Sequence, residues 1–213
     1  MQLSPEIWTN KRRYLMKKLS QTILALSIVI AASGMVYADA PKWKIDPAHA
    51  GIYFSIDHIF SKVKGHFEDF DAEIYFDPNN LDQSRASFTV KVDSIDTNNT
   101  KRDGHLRSDD FFGAKKFPEM RFESAAVTHL GGNLYMVDGT MTIKDVSRRV
   151  KLPFTFLGAQ PNPFNPKQEV AGFELSMTID RFDYNVGTGK FLDLGVVGKY
   201  VEVLITLEVT RKI

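Results

Sequence analysis

Five histidines, at positions 49, 58, 66, 105 and 129, are the residues best able to do chemistry in this chain, which has no cysteine. Zero Cys excludes thiol nucleophiles, disulfide frameworks and Cys-based zinc sites. His58 falls on the apolar parity of a strand-like run, and His66 follows eight residues later beyond a turn. That spacing lets the two approach one another at one end of a sheet. Asp46 with His49, and Asp57 with His58, resemble carboxylate–imidazole pairs. Adjacent strand residues face opposite sides, however, so Asp57 cannot orient His58 directly. No His-x-x-x-His or His-Glu-x-x-His spacing occurs, and the histidines read as structural groups rather than metal ligands.

Other catalytic signatures are missing too. There is no Gly-x-Ser-x-Gly elbow and no phosphate-cradling Gly-x-x-x-x-Gly-Lys. Gly187-Thr188-Gly189-Lys190 is a fragment of such a loop without its strand–turn–helix context, and reads as a flexible turn. Asn98-Asn99-Thr100 matches a glycosylation sequon of a kind that arises often by chance. The densest polar cluster is Asp93 to Thr97, followed by Lys101-Arg102-Asp103-Gly104-His105. It suits a loop or helix held against the rest of the domain by local ion pairs of Arg102 and Asp103. Equally, Arg102 and His105 can hydrogen-bond a ligand's polar head. No enzymatic activity is expected.

The first forty residues behave unlike the rest. Residues 11–18 read KRRYLMKK, an apolar stretch runs from Leu19 to Ala32, and small residues follow near Val36, Ala38 and Ala40. This order makes residues 1–38 a secretory signal peptide, cleaved after Ala38 or alternatively after Ala40. The apolar stretch is too short to span a bilayer comfortably. Met16-Lys17-Lys18 would also serve as a start by itself. Export to the periplasm is the expectation. The chain has 27 basic and 26 acidic residues; removing five basic residues and one acid with 1–38 leaves 22 and 25. The mature domain, 39–213, is mildly acidic, which disfavours nucleic acid as a partner.

Period-2 alternation dominates this domain and predicts eight strands. Their apolar positions run Ile52 to Phe60, Phe70 to Phe76, Phe88 to Val92, Met120 to Ser124, Tyr135 to Ile143, Val150 to Phe156, Ala171 to Ile179 and Val201 to Val209. The sixth is expected to close at Gly158 and a Pro-rich loop, Pro161 to Pro166. Thr100 to Lys116 reads as a short helical insertion, and Arg181 to Gly195 as a long loop. The fold class is therefore all-β, an eight-stranded antiparallel barrel of a size able to hold one small ligand. The inward set is rich in rings: Phe54, Phe60, Phe70, Phe76, Phe88, Phe122, Phe154, Phe156 and Phe173. Patterning alone leaves open whether they line a cavity or fill it.

Motifs along almost the whole domain resemble the YceI-like family of exported lipid-binding proteins. They include Trp43-Lys44-Ile45-Asp46-Pro47-Ala48-His49, Gly65-His66-Phe67-Glu68-Asp69-Phe70 and Arg102-Asp103-Gly104-His105-Leu106-Arg107-Ser108-Asp109-Asp110-Phe111-Phe112. Gly139-Thr140-Met141-Thr142-Ile143-Lys144 and Ile179-Asp180-Arg181-Phe182-Asp183-Tyr184 continue the match. Ala50, Lys144 and Tyr184 depart from the family, which commonly has Ser, Gly and Phe there. The resemblance implies a lipocalin-like barrel in the periplasm with a tunnel for polyisoprenoids or isoprenoid quinones, and no cofactor beyond such a bound lipid. The expected wall comprises Ile52, Phe54, Ile56, Phe76, Phe88, Val90, Phe122, Phe154, Phe173 and Leu175, with His58, Arg102 and His105 near a polar head. The expected partner is a long-chain amphiphile; a homodimer is compatible with the sequence. The rival expectations are a stress-response or interaction protein with a self-filled barrel, and a His/Asp enzyme or redox module.

Overall fold

The computed structural model describes residues 39–213, and the expected signal peptide lies outside the described residues. Eleven strands form one antiparallel sheet: β1 Lys42–Ile45, β2 Gly51–His58, β3 Ser61–Phe67, β4 Phe70–Tyr75, β5 Arg85–Lys91, β6 Ile95–Asp96, β7 Glu119–Gly131, β8 Leu134–Ile143, β9 Val146–Asn162, β10 Asn165–Asp180 and β11 Val197–Lys212. The order β1-β4-β5-β7-β8-β9-β10-β11 returns on itself through a β1–β11 pairing, giving a closed eight-stranded barrel. Closure leaves no free edge around that ring.

The ring's eighth member differs from expectation. It is β1, with Lys44 opposite Thr210 and Ile45 opposite Val209. β2, the expected first strand, takes the remainder of the same β11 edge, from Thr206 opposite Gly51 to Val201 opposite Ile56. β11 is 16 residues long, so its edge outlasts either partner alone. The chain steps between the two at Asp46 to Ala50. There the Asp46 amide donates to the Glu208 carbonyl at 2.9 Å and the Glu208 amide to the His49 carbonyl at 3.2 Å. β3 and β6 then extend the sheet outward from β2.

Two further expectations are corrected. Phe60 does not point inward: it is fully exposed at the tip of the β2–β3 hairpin, beside Ile59 at φ +52°. The alternation ends at His58, which faces Ser61 across the turn. Nor does β9 close at Gly158. That residue, at φ +117°, lies beside a register shift in the β9–β10 pairing, and the strand continues to Asn162. A glycine there permits a bulge rather than a terminus.

Alternation inside the ring follows burial closely. In β8, Tyr135, Val137, Gly139, Met141 and Ile143 are buried while their neighbours are not. Gly139 is required by close approach: a Cβ would lie 2.5 Å from the Glu123 carbonyl oxygen and 2.5 Å from Phe122 Cζ. Since the oxygen belongs to a paired strand, Gly139→Ala is expected to cost about 1–3 kcal/mol. Urea unfolding of the variant checks this, and an unchanged midpoint would contradict it.

The interior answers the question of filling against lining with both. At the end where β1 meets β11, Phe76 sits among four rings: Tyr135 at 5.3 Å, Phe154 at 5.9 Å, Phe156 at 5.1 Å and Phe173 at 5.2 Å between centroids. Trp43 caps this cluster, its indole N–H donating to the Phe76 carbonyl at 3.0 Å. At the other end, Phe111, Tyr184 and Val186 pack on Met141 and Ile143. The helix Thr100–Arg107 and the segment after β10 therefore cover that end.

Candidate functional site: a two-chambered apolar cavity

Between the two ends the barrel is hollow. One chamber, of about 190 Å³, is walled by Ile52, Phe76, Phe88, Val90, Phe122, Phe154, Phe173 and Leu175, among others. A second, of about 570 Å³, is lined by Phe54, Ile56, His58, Arg102 and His105 with further residues. Met120, Ile143, Ile179 and Val203 line both, so one wall runs from chamber to chamber. All thirteen residues expected at a ligand face one chamber or the other.

The polar candidates are held in distinct ways. The helix Thr100–Arg107 is capped by Asn99, whose side chain accepts from the Arg102 amide. Arg102 and Asp103 were expected in local ion pairs, and each takes another partner instead. Both grip Thr97. The Arg102 Nε donates to Thr97 Oγ1 at 2.7 Å and Nη2 to the Thr97 carbonyl at 2.8 Å, while the buried Asp103 carboxylate accepts the Thr97 amide at 3.0 Å. Arg107 adds a bond to the Ile95 carbonyl at 2.8 Å, so the helix is stitched to β6. His105 contacts Asp110 at 2.9 Å through Nε2 and meets Phe111 edge-on at 5.0 Å.

His58 and His66 do not converge. His58 pairs with Ser61 beside the hairpin tip, whereas His66 lies opposite Tyr53 and Asp96, towards the far end of β2. Asp57 instead pairs with Lys62 at 3.1 Å. Asp46 and His49 do form the expected pair, Oδ2 to Nδ1 at 2.9 Å, on the outer surface where the chain steps from β1 to β2. That hydrogen bond raises the His49 pKa and lowers that of Asp46.

The segment after β10 was expected to be a long loop. It begins instead with a 3-10 turn, Arg181–Tyr184, and carries a short helix, Lys190–Asp193. Arg181 is buried and lines the larger chamber. Its Nε donates to the Gly198 carbonyl and Nη1 to the Val186 carbonyl, both at 2.8 Å, with the guanidinium 4.0 Å from the Phe182 ring centroid. Burial pushes its pKa below the ordinary value, against the opposing influence of Asp180. Gly187, at φ +82°, makes room for it: a Cβ there would sit 2.3 Å from Arg181 Nη1. Tyr184, Val186 and Phe191 line the same chamber. Their signal was present as apolar residues within a Gly-rich stretch, but no regular period connects them.

Lys144 stands in the left-handed region, φ +54°, which explains a preference for Gly at this turn. Its ammonium donates to the Phe111 carbonyl at 2.8 Å and the Asn185 carbonyl at 2.6 Å, tying together the two segments that cover the chamber.

Comparison with known proteins agrees with this architecture. The profile of the YceI-like domain matches residues 43–209. Protein YceI of Escherichia coli is 35% identical over 196 residues, covering 91% of this chain and 97% of that protein. Among solved structures, Burkholderia cenocepacia BcnA superposes with a TM-score of 0.69 at 29% identity, covering 77% of this chain and 98% of that one. The Campylobacter jejuni YceI protein superposes with a TM-score of 0.63 at 31% identity, covering 72% and 88%. A polyisoprenoid binding domain from Saccharophagus degradans shares the fold, with a TM-score of 0.58 at 15% identity over 80% of this chain and 98% of that one. By its matched profile and its relatives alike, this chain belongs to the YceI-like family.

Proposed function

We propose that the barrel binds a long-chain amphiphilic lipid of the polyisoprenoid or isoprenoid quinone type, and carries or sequesters it in the periplasm after export. The observation that carries this reading is the apolar wall running continuously from one chamber into the next through Met120, Ile143, Ile179 and Val203. Two supports stand beside it. The Saccharophagus degradans domain of the same fold is described as polyisoprenoid binding. Residues 1–38 also have the order of a secretory signal.

The energetics suit reversible carriage. Each buried CH₂ contributes roughly 0.8 kcal/mol, so a twenty-carbon tail supplies ~16 kcal/mol in transfer terms. Association costs of roughly 4–15 kcal/mol leave binding measurable but not permanent. Among the described residues no helix is long and apolar enough to cross a membrane. Binding rather than catalysis is the role proposed for the polar groups of the chamber.

Native mass spectrometry after mild extraction tests the reading. The expected spectrum shows the protein with a lipid adduct, or takes one up when geranylgeraniol is added. A protein that carries no lipid and accepts none would overturn it.

A further inference from the structure

We infer that the tip of the β2–β3 hairpin is a membrane anchor: Ile59 and Phe60 enter the surface of a lipid bilayer and dock the rim of the larger chamber against it. The inference goes beyond the lipid-binding reading, and its test does not depend on which ligand the chamber takes.

The inference begins with the turn. Two residues, Ile59 and Phe60, join His58 to Ser61 across the hairpin. Two-residue turns of this kind favour Gly, Asn or Asp, because part of the turn needs a positive φ. Here Ile59 holds φ +52°, an outlier for a β-branched residue. That strain places two large apolar side chains where neither adds to the core: both are exposed, the Phe60 ring fully. The Ile59 amide donates to the Val196 carbonyl at 3.1 Å, which sets the segment after β10 beside the tip. Leu194, two residues before Val196, is 64% exposed, and Leu192 of the preceding short helix is exposed as well. Four large apolar side chains therefore stand in water at one end of the barrel.

Position and charge point to a bilayer as what covers them. The strand residues flanking the tip, His58 and Val63, line the larger chamber, and so do Val196 and Val197 beside them. A bilayer reached by the tip lies against the rim of that chamber. Four side chains offer well under the roughly 800 Å² that each partner gives to a stable protein interface, whereas a bilayer accepts apolar anchors singly. The neighbouring lysines are already paired: Lys62 binds Asp57 at 3.1 Å and Glu202 at 3.0 Å, and Lys199 binds Asp180 at 2.8 Å. Lys190 and Asp193 balance within one short helix. The anchor is therefore apolar rather than electrostatic, and a zwitterionic bilayer suffices. The β9–β10 turn exposes Phe164 at the opposite end, but residues 144–178 contribute nothing to the lining of the larger chamber.

Flotation with phosphatidylcholine vesicles measures the anchor. The double variant Ile59→Asn, Phe60→Ser is expected to lower the partition coefficient at least about tenfold, since one aromatic and one aliphatic side chain no longer enter the bilayer. Phe164→Ser removes an equally exposed ring from the opposite end and is expected to change it less than about twofold. Asn adopts the left-handed backbone at position 59 more readily than Ile, so loss of fold does not enter the comparison. Phe60→Trp gives an independent reading: its emission is expected to shift blue with vesicles and to be quenched by brominated phosphatidylcholine, above the background of the unsubstituted protein. Added salt is expected to leave the partition within about twofold. Equal partition of the unsubstituted protein and the double variant, an equal loss in Phe164→Ser, or an unquenched emission would overturn the anchor. Self-association that the double variant abolishes, without vesicle binding, would make the tip a contact between copies and overturn it too. Lipid adducts in native mass spectrometry report on the chamber alone, so either reading can fail while the other stands.

Discussion

Phe76→Ala is expected to lower stability by about 3–5 kcal/mol, the largest loss for any single side chain here. Phe76 is 4% exposed, and four aromatic rings lie within 5.1–5.9 Å of it, drawn from β8, β9 and β10. The Trp43 indole closes over its carbonyl from β1. Truncation therefore opens a void in a cluster shared by β1, β8, β9, β10 and β11. Edge-on and tilted ring pairs add to the loss beyond area alone. Urea unfolding monitored by Trp fluorescence measures it, with an unchanged slope showing that the transition remains two-state. Phe76→Leu should recover more than half of the difference. A loss below about 1 kcal/mol for the alanine variant would mean that this end of the barrel is as open as the middle.

Val203→Trp is expected to separate tails by length. Val203 lines both chambers from β11, facing Phe54 and Met177 across its two neighbouring strands. An indole there fills the junction. A ten-carbon geranyl tail fits within one chamber and keeps most of its affinity. A twenty-carbon geranylgeranyl tail must pass the junction, and loses the roughly 0.8 kcal/mol per CH₂ of every carbon excluded. The predicted outcome is a loss of at least about a hundredfold for the long tail, ~2.7 kcal/mol, against a few-fold for the short one. Competition with a fluorescent fatty probe reads both. Equal losses for the two tails would show that the chambers do not act as one site.

Much of the barrel was legible because one-sided burial imposes a period of two. β8, β10 and β11 lie inside the ring for their whole apolar length, and their alternation maps directly onto the buried face. Legibility failed where burial is not one-sided. β1 has four residues, too few to establish a period, yet it closes the ring. β3 interrupts its apolar positions with Gly65, where a Cβ would meet Phe54 and the Asp96 carbonyl oxygen, so its inner face carries too little hydrophobic signal. Phe60 has the right parity but lies two residues past the last paired position of β2, His58.

The site was legible to a similar degree for similar reasons. Apolar wall residues inherit the strand period, which is why all ten expected ones face a chamber. The residues covering the far end come from segments without a repeat: Phe111, Phe112, Tyr184, Val186 and Phe191. Arg181 was visible only as part of a motif. Its burial depends on carbonyls of Val186 and Gly198 and on the space left by Gly187, none of which a charge pattern reveals. The Arg102–Asp103 pair illustrates the converse. Mixed charges in sequence suggested local ion pairs, but both side chains satisfy Thr97 instead.

A crystal structure of the protein with geranylgeranyl phosphate tests the central claim most directly. The account predicts continuous tail density beside Phe173 and Leu175, past Met120 and Val203, to a head group near His58, Arg102 and His105. Tail density confined to the outer surface, with both chambers unoccupied at saturating lipid, would contradict it.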